Sequence, residues 1–167
     1  MKVTAVISTC KRNPKCLRRA IESVLNQDYR DIELFIVDDS PSDYILRDDV
    51  MRLCMTFEKD NVTYIRNEKQ MGACATRNRE ADAGRGEYIA FLDDDFWRSN
   101  KISKQVSVLE KYLEYEMIYS DFTLFNENNG KTIKYSDGNK PHSGNVFDDF
   151  EGKQFFHSNI NSLYSRR

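Results

Sequence analysis

Three consecutive carboxylates, Asp93, Asp94 and Asp95, follow the short apolar run Tyr88–Leu92 without a break. Hard oxygen ligands of this kind suit Mg²⁺ or Mn²⁺, and Mg²⁺ commonly takes one or two carboxylates and completes its shell with substrate phosphates. Adjacent carboxylates repel one another unless a cation or hydrogen-bond donors offset them. The chemistry they fit is a metal–diphosphate site. The competing reading is a solvated acidic turn, because runs of like charge ordinarily mark exposed loops. A second acidic pair, Asp38-Asp39, follows the apolar segment 32–37 and precedes Ser40-Pro41-Ser42. There too a carboxylate either meets a ligand or caps the turn.

Both clusters depend on the elements before them. Gly84 and Gly86 lead into Tyr88–Leu92, and so short an apolar run suits a strand buried on both faces better than a helix. In open α/β sheets the C-terminal strand ends are where ligands bind. Val3–Thr9 is rich in β-branched residues and reads as a first strand. Asn13 can cap a helix with Pro14 at its first position, where the missing N–H costs nothing. Leu17, Ala20, Ile21, Val24 and Leu25 mark one face of that helix. Residues 32–37 form a second strand, 45–57 a helix with Leu46, Val50, Leu53 and Phe57 on one face, and 62–65 a third strand. Gly72 opens a helix over Ala73–Ala83, and Gly84 ends it.

Beyond the triple Asp, Ser99 or Asn100 is the expected cap of a fourth helix, with Ile102, Val106, Leu109 and Leu113 facing the core. Segment 117–125 reads as one strand, 126–130 as a turn and 131–135 as an antiparallel return. From Ser136 the pattern weakens. Residues 137–144 read as a loop, and the tail carries Phe147, Phe150, Phe155, Phe156, Ile160 and Leu163 without a clear period.

The order βαβαβαβαβ plus a hairpin predicts a mostly parallel α/β sheet with helices on both faces. Right-handed crossovers then bring both acidic strand ends to one edge. A chain of 167 residues suits a single domain, and a net charge of −2 gives no reason to expect a nucleic-acid polymer. Ten Phe and nine Tyr argue against disorder. No apolar run approaches the ~18 residues of a transmembrane segment. Met1-Lys2-Val3 leads straight into a strand, without a signal-peptide core. Cys10, Cys16, Cys54 and Cys74 lack metal-site spacing, and His142 and His157 are isolated. Free thiols in a reducing cytoplasm are expected rather than zinc.

Several motifs, taken in order, resemble the large inverting glycosyltransferase family two. They are Val6-Ile7-Ser8-Thr9 with Arg12, Leu25-Asn26-Gln27-Asp28-Tyr29, and Val37-Asp38-Asp39-Ser40. Asn67, Gly72, Ala75-Thr76-Arg77-Asn78, the segment from Gly86 to Asp95, Trp97, and Lys101 with Gln105 continue the series. The resemblance covers about residues 3–125. It implies a GT-A type fold, Rossmann-like and mostly parallel with a C-terminal antiparallel hairpin. It also implies a nucleotide-diphospho-sugar donor, most often a UDP-sugar, bound at the C-terminal strand edge. Thr9 and Arg12 would lie beside the base or phosphates, and Asp39 would accept from the base. Arg77 would contact base or diphosphate, Asp93 or Asp94 the ribose, and Asp95 the Mn²⁺ or Mg²⁺. Plainer roles stay open beside these. Thr9 can simply end a strand, Arg12 can pair with a surface acid, Arg77 can pair with Glu80 one turn on, and Trp97 can pack rather than meet a sugar.

The resemblance implies inverting transfer to a glycan or other hydroxyl acceptor. Relatives carry their catalytic acid in a further segment, often as a Glu-Asp pair, and Asp148, Asp149 and Glu151 come too early to match it. No catalytic base is assigned. Residues 1–125 are expected to form the donor-binding core and 126–167 to begin an incomplete acceptor side, within one structural domain. A truncated or naturally short chain, or a partner chain completing the site, would each account for the missing acid. The alternative to an enzyme is a catalytically silent nucleotide-sugar binding module. A cytoplasmic location, peripheral at the inner membrane face, is expected.

Overall fold

The computed structural model describes residues 1–57, 61–93, 95–138, 143–144 and 162–166. Its strands are β1 (Val3–Thr9), β2 (Ile32–Asp38), β3 (Val62–Arg66), β4 (Tyr88–Leu92), β5 (Met117–Tyr119), β6 (Thr123–Phe125), β7 (Thr132–Lys134) and β8 (Ser162–Ser165). Six of them form one sheet in the order β3-β2-β1-β4-β8-β5, and β6 pairs with β7 in a separate hairpin. Within the main sheet β8 alone runs opposite to the other five strands. The fold is the expected mixed α/β arrangement, and the described residues hold four α-helices: α1 (Pro14–Leu25), α2 (Arg47–Met55), α3 (Ala73–Ala83) and α4 (Lys101–Lys111).

Alternation along the strands decides which helix meets which face. Val3, Ala5 and Ile7 of β1 join Leu34, Ile36, Ala90 and Leu92 in one buried cluster with apolar residues of α1, α2 and α4. The intervening Thr4 faces the other way, toward α3 and the segment after it. Its hydroxyl accepts the Gly86 N–H at 2.9 Å. A Cβ on Gly86 would stand 2.5 Å from the Thr4 backbone nitrogen, so this close crossing requires glycine.

The helix ends follow local chemistry in part. Asn13 caps α1 as expected, its side chain accepting the Lys15 N–H at 2.9 Å. Gly72 precedes α3 at φ +87°, a backbone region that strongly favours glycine. The expected cap of α4 is corrected. Asn100 holds the N-cap position without a side-chain cap bond. The Ile102 N–H is instead taken by Oε1 of Gln27, at 3.0 Å, from beyond the end of α1.

Two further expectations change. Segment 117–125 is not one strand: it breaks between β5 and β6, and its halves join different sheets. Asp121 causes the break, accepting the Phe122 N–H at 2.9 Å and the Ser136 N–H and hydroxyl at 3.1 and 2.8 Å. That clamp closes the base of the β6–β7 hairpin. The tail, read as having no clear period, includes β8, inserted between β4 and β5, with Leu163 opposite both Ala90 and Ile118 and fully buried. Four residues are too few to show a period, so their place comes from strands far away in the chain. The tail aromatics Phe147, Phe150, Phe155 and Phe156, and both histidines, lie outside the described residues.

Candidate functional site

The parallel register places the strand ends side by side. Thr9 lies opposite Asp38, Asp38 opposite Arg66, and Ile7 opposite Leu92, so Asp93 follows beside the end of β1. The two acidic clusters therefore share one sheet edge, as the crossover rule predicts.

Asp38 and Asp39 do different structural work. Asp38 is fully buried and shapes the turn, accepting the Ser40 N–H at 2.9 Å and the Tyr64 hydroxyl at 3.1 Å. Asp39 reaches across to the loop before α3. Its Oδ1 accepts from Asn67 Nδ2 at 2.8 Å and the Met71 N–H at 2.7 Å, and its Oδ2 from the Gly72 N–H at 2.8 Å. Burial alone would raise the Asp39 pKa, but these bonds, with one from Thr76, outweigh it and hold the carboxyl below its ordinary value. Ionised Asp39 thus fastens the entrance of α3 to the end of β2. A carboxylate has about four lone-pair sites. These bonds leave little capacity for a further donor.

Arg77 does not pair with Glu80. Its Nη2 meets Oδ1 of Asp93 at 2.8 Å, both side chains being a little over a quarter exposed. Glu80 is fully buried with neither carboxylate oxygen partnered. Burial pushes its carboxyl up to about 8; Arg79 and Arg77 pull the other way, and Asp39 adds to the rise. Thr9 is 2% exposed and its hydroxyl has no partner, an orphan polar group at this sheet edge. Arg12 is exposed in the loop after β1, its carbonyl accepting from the Tyr44 hydroxyl at 3.0 Å. Asp95 is exposed at the start of the segment leading to α4. Asp94 lies outside the described residues.

The donor set suits a hard divalent ion. Among the described residues no three acidic, histidine or cysteine side chains cluster as a ready-made cage. An ion that takes one or two carboxylates and completes its shell with diphosphate oxygens needs no such cage. Asp95, with Asp93 close in sequence, offers carboxylates of the required kind.

Asn67 is the member whose importance was least visible in the sequence. It is 1% exposed, donates to Asp39, accepts from Arg79 Nη1 at 2.8 Å through its side chain, and accepts from Arg47 through its carbonyl. It was legible as one motif residue in the series; its partners span β2, α2 and α3. Trp97 packs in the core, 4% exposed, with the Lys101 ammonium 4.2 Å from its ring centroid.

Comparison with known proteins identifies the family. Residues 4–167 match Glycosyl transferase family 2, and the chain belongs to that family. It is 30% identical over 133 residues to an uncharacterized glycosyltransferase of Methanocaldococcus jannaschii, covering 79% of this chain and 45% of the relative. Another relative is the Escherichia coli UDP-Glc:alpha-D-GlcNAc-diphosphoundecaprenol beta-1,3-glucosyltransferase WfaP, 32% identical over 66% of this chain and 42% of its own. The chain spans under half the length of these relatives. Among solved structures, S. aureus TarS 1-349 in complex with UDP-GlcNAc superposes with a TM-score of 0.67 at 16% identity, over 99% of this chain and 45% of that one. The mannosyltransferase PcManGT from Pyrobaculum calidifontis, in complex with GDP-Man and Mn²⁺, gives 0.62 at 17% identity, over 77% and 36%. At these identities the likeness concerns the fold. No helix among the described residues is long and apolar enough to cross a membrane.

Proposed function

We propose that this chain is the nucleotide-sugar-binding part of a glycosyltransferase that moves a sugar from a nucleoside diphosphate to a hydroxyl acceptor with inversion. The observation that carries the reading is the gathering of Thr9, Asp39 and the Arg77–Asp93 pair at one C-terminal sheet edge, with Asp95 two residues beyond Asp93 in the chain. Residues 1–125 supply the donor side and 126–167 begin the acceptor side. Relatives named for UDP-glucose and undecaprenol-diphosphate-linked acceptors support a UDP-sugar donor and a lipid-linked glycan acceptor.

The residues divide the work. The orphan Thr9 hydroxyl and Arg12 flank the nucleotide, while Asp39 sets the β3–α3 loop against its base. Arg77, joined to Asp93 through one nitrogen, keeps other N–H groups for the diphosphate, and guanidinium suits planar bidentate recognition. One of Asp93 and Asp94 would face the ribose. A divalent ion bound by Asp95, Mn²⁺ or Mg²⁺, would supply charge stabilisation to the leaving diphosphate.

Calorimetric titration of UDP with and without Mn²⁺ tests the reading. Binding strengthened by Mn²⁺, and losing that gain in Asp95→Ala, is expected. Absence of metal-dependent UDP binding in the unaltered chain would falsify it. Sugar transfer abolished by Asp95→Ala marks an enzyme, whereas tight binding without turnover marks the silent binding module.

A further inference from the structure

Immediately after Asp95 the chain runs as a strap along α1, and three α1-side residues spaced four apart hold it. The Arg19 guanidinium lies over the Phe96 ring, 5.2 Å from its centroid. The Trp97 N–H donates to Ser23 Oγ at 3.1 Å, and Gln27 Nε2 donates to the Arg98 carbonyl at 2.8 Å. Arg19, Ser23 and Gln27 form an i, i+4, i+8 stripe that continues past the last turn of α1.

Gln27 uses its whole amide here. One nitrogen reaches the Ser23 carbonyl at 3.0 Å as well as that of Arg98, and the oxygen takes the Ile102 N–H at the start of α4. The backbone adds a bond from the Asp28 N–H to the Ser99 carbonyl at 2.8 Å. Gln27 is 9% exposed, so losing it would leave buried donors and acceptors unpaired. On the strap's other side, Lys101 Nζ lies against the Trp97 ring and donates to Gln105 Oε1 at 2.7 Å. The motif residues Gln27, Trp97, Lys101 and Gln105 therefore belong to one device, and none of them stands among the donor-binding residues.

We infer that Ser23 and Gln27 are positioning residues for Asp95. By fastening Trp97 and Arg98 to α1, they fix the segment that carries this exposed carboxylate relative to the sheet edge. The inference rests on the donor-site reading above. A side chain on an untethered segment meets an ion in many geometries, and binding must then order it; a tethered one is already placed. Phe96, Trp97 and Arg98 are the first three residues after Asp95, which gives the strap little slack.

The test uses the full chain with UDP and Mn²⁺ as probes, comparing Ser23→Ala, Ser23→Thr and Gln27→Met with the unaltered protein. The Mn²⁺ concentration giving half of the gain in UDP affinity is measured by calorimetry, beside metal-free UDP affinity and the thermal midpoint. In Ser23→Ala and Gln27→Met the Mn²⁺ half-point is expected to rise about tenfold, the scale on which outer-shell partners tune metal sites. Metal-free affinity stays unchanged, and Ser23→Thr, which keeps the hydroxyl, restores the half-point. Variants that lower the thermal midpoint but leave the Mn²⁺ half-point in place overturn the proposal, because the strap is then mere packing. Equal loss of UDP affinity with and without Mn²⁺ also overturns it. If the unaltered chain binds UDP without any Mn²⁺ effect, the donor-site reading fails first. Ser23→Ala removes only the two hydrogen bonds of one hydroxyl, from the Trp97 N–H and to the Ala20 carbonyl, and carries the test should Gln27→Met not fold.

Discussion

At the scale of single residues, Glu80 is the most informative group the donor site does not use directly. It sits buried under α3 without a partner, and burial raises its carboxyl from the ordinary 4.5 to about 8. Between those values the folded protein holds a proton that the unfolded chain has lost. The stabilising contribution is complete below about 4.5 and declines as pH rises through about 8. Lys101 acts oppositely. Burial lowers its pKa from 10.5 to about 7, so its contribution improves as pH climbs through that interval. Comparing the unaltered protein with Glu80→Gln isolates the carboxyl. The variant is expected to gain stability relative to its parent steadily from pH 5 to pH 8.5, by thermal melts in matched buffers. A constant difference across that range would show that Glu80 ionises equally in both states.

At the scale of elements, the two glycines flanking α3 serve different needs. Around Gly72 there is open space, so an added methyl meets nothing and the cost of Gly72→Ala comes from φ +87° alone. At Gly86 the added carbon would strike the backbone of Lys2 and Thr4, and neither can swing aside. Gly72→Ala is expected to cost about 1 kcal/mol from backbone strain. Gly86→Ala is expected to cost about 2–3 kcal/mol from overpacking. Urea midpoints give the comparison, and the reverse order would refute it. Gly72→Ala should also weaken UDP binding, because the Gly72 N–H is one of the donors fixing Asp39. Gly86 contacts the opposite, N-terminal side of the sheet and should leave UDP affinity alone.

For the molecule as a whole, closure of the main sheet depends on a strand near the end of the sequence. β8 bridges β4 and β5, with Leu163 fully buried between them and Tyr164 edge-on to Phe91 at 6.0 Å. Leu163→Ala is expected to lower unfolding free energy by about 2–5 kcal/mol, the range for deleting a core leucine, as read from urea denaturation. A loss below about 1 kcal/mol would mean that β8 adds little to the fold.

Much of this architecture is written locally. The spacing of Leu17, Ala20, Ile21 and Val24 specifies the buried face of α1, Gly72 and Gly84 bracket α3, and short apolar runs ending in acids mark β2 and β4. Each signal comes from neighbours within a turn or a strand, where backbone geometry dictates the period. From these elements and the handedness of crossovers, the shared edge at which β2 and β4 end, with Asp39 and Asp93 just beyond them, was legible in advance. The commitments made by side chains across the chain were not. Asp39 binds residues 28 to 33 positions on, Gln27 completes a helix end 75 positions on, and Glu80 is buried although its neighbours are charged. β8 pairs with a strand about 75 residues earlier. Such partners share no period with their surroundings. They become neighbours only when the sheet assembles, so tertiary structure alone decides which polar groups are satisfied, which remain orphaned, and which segment is held against α1.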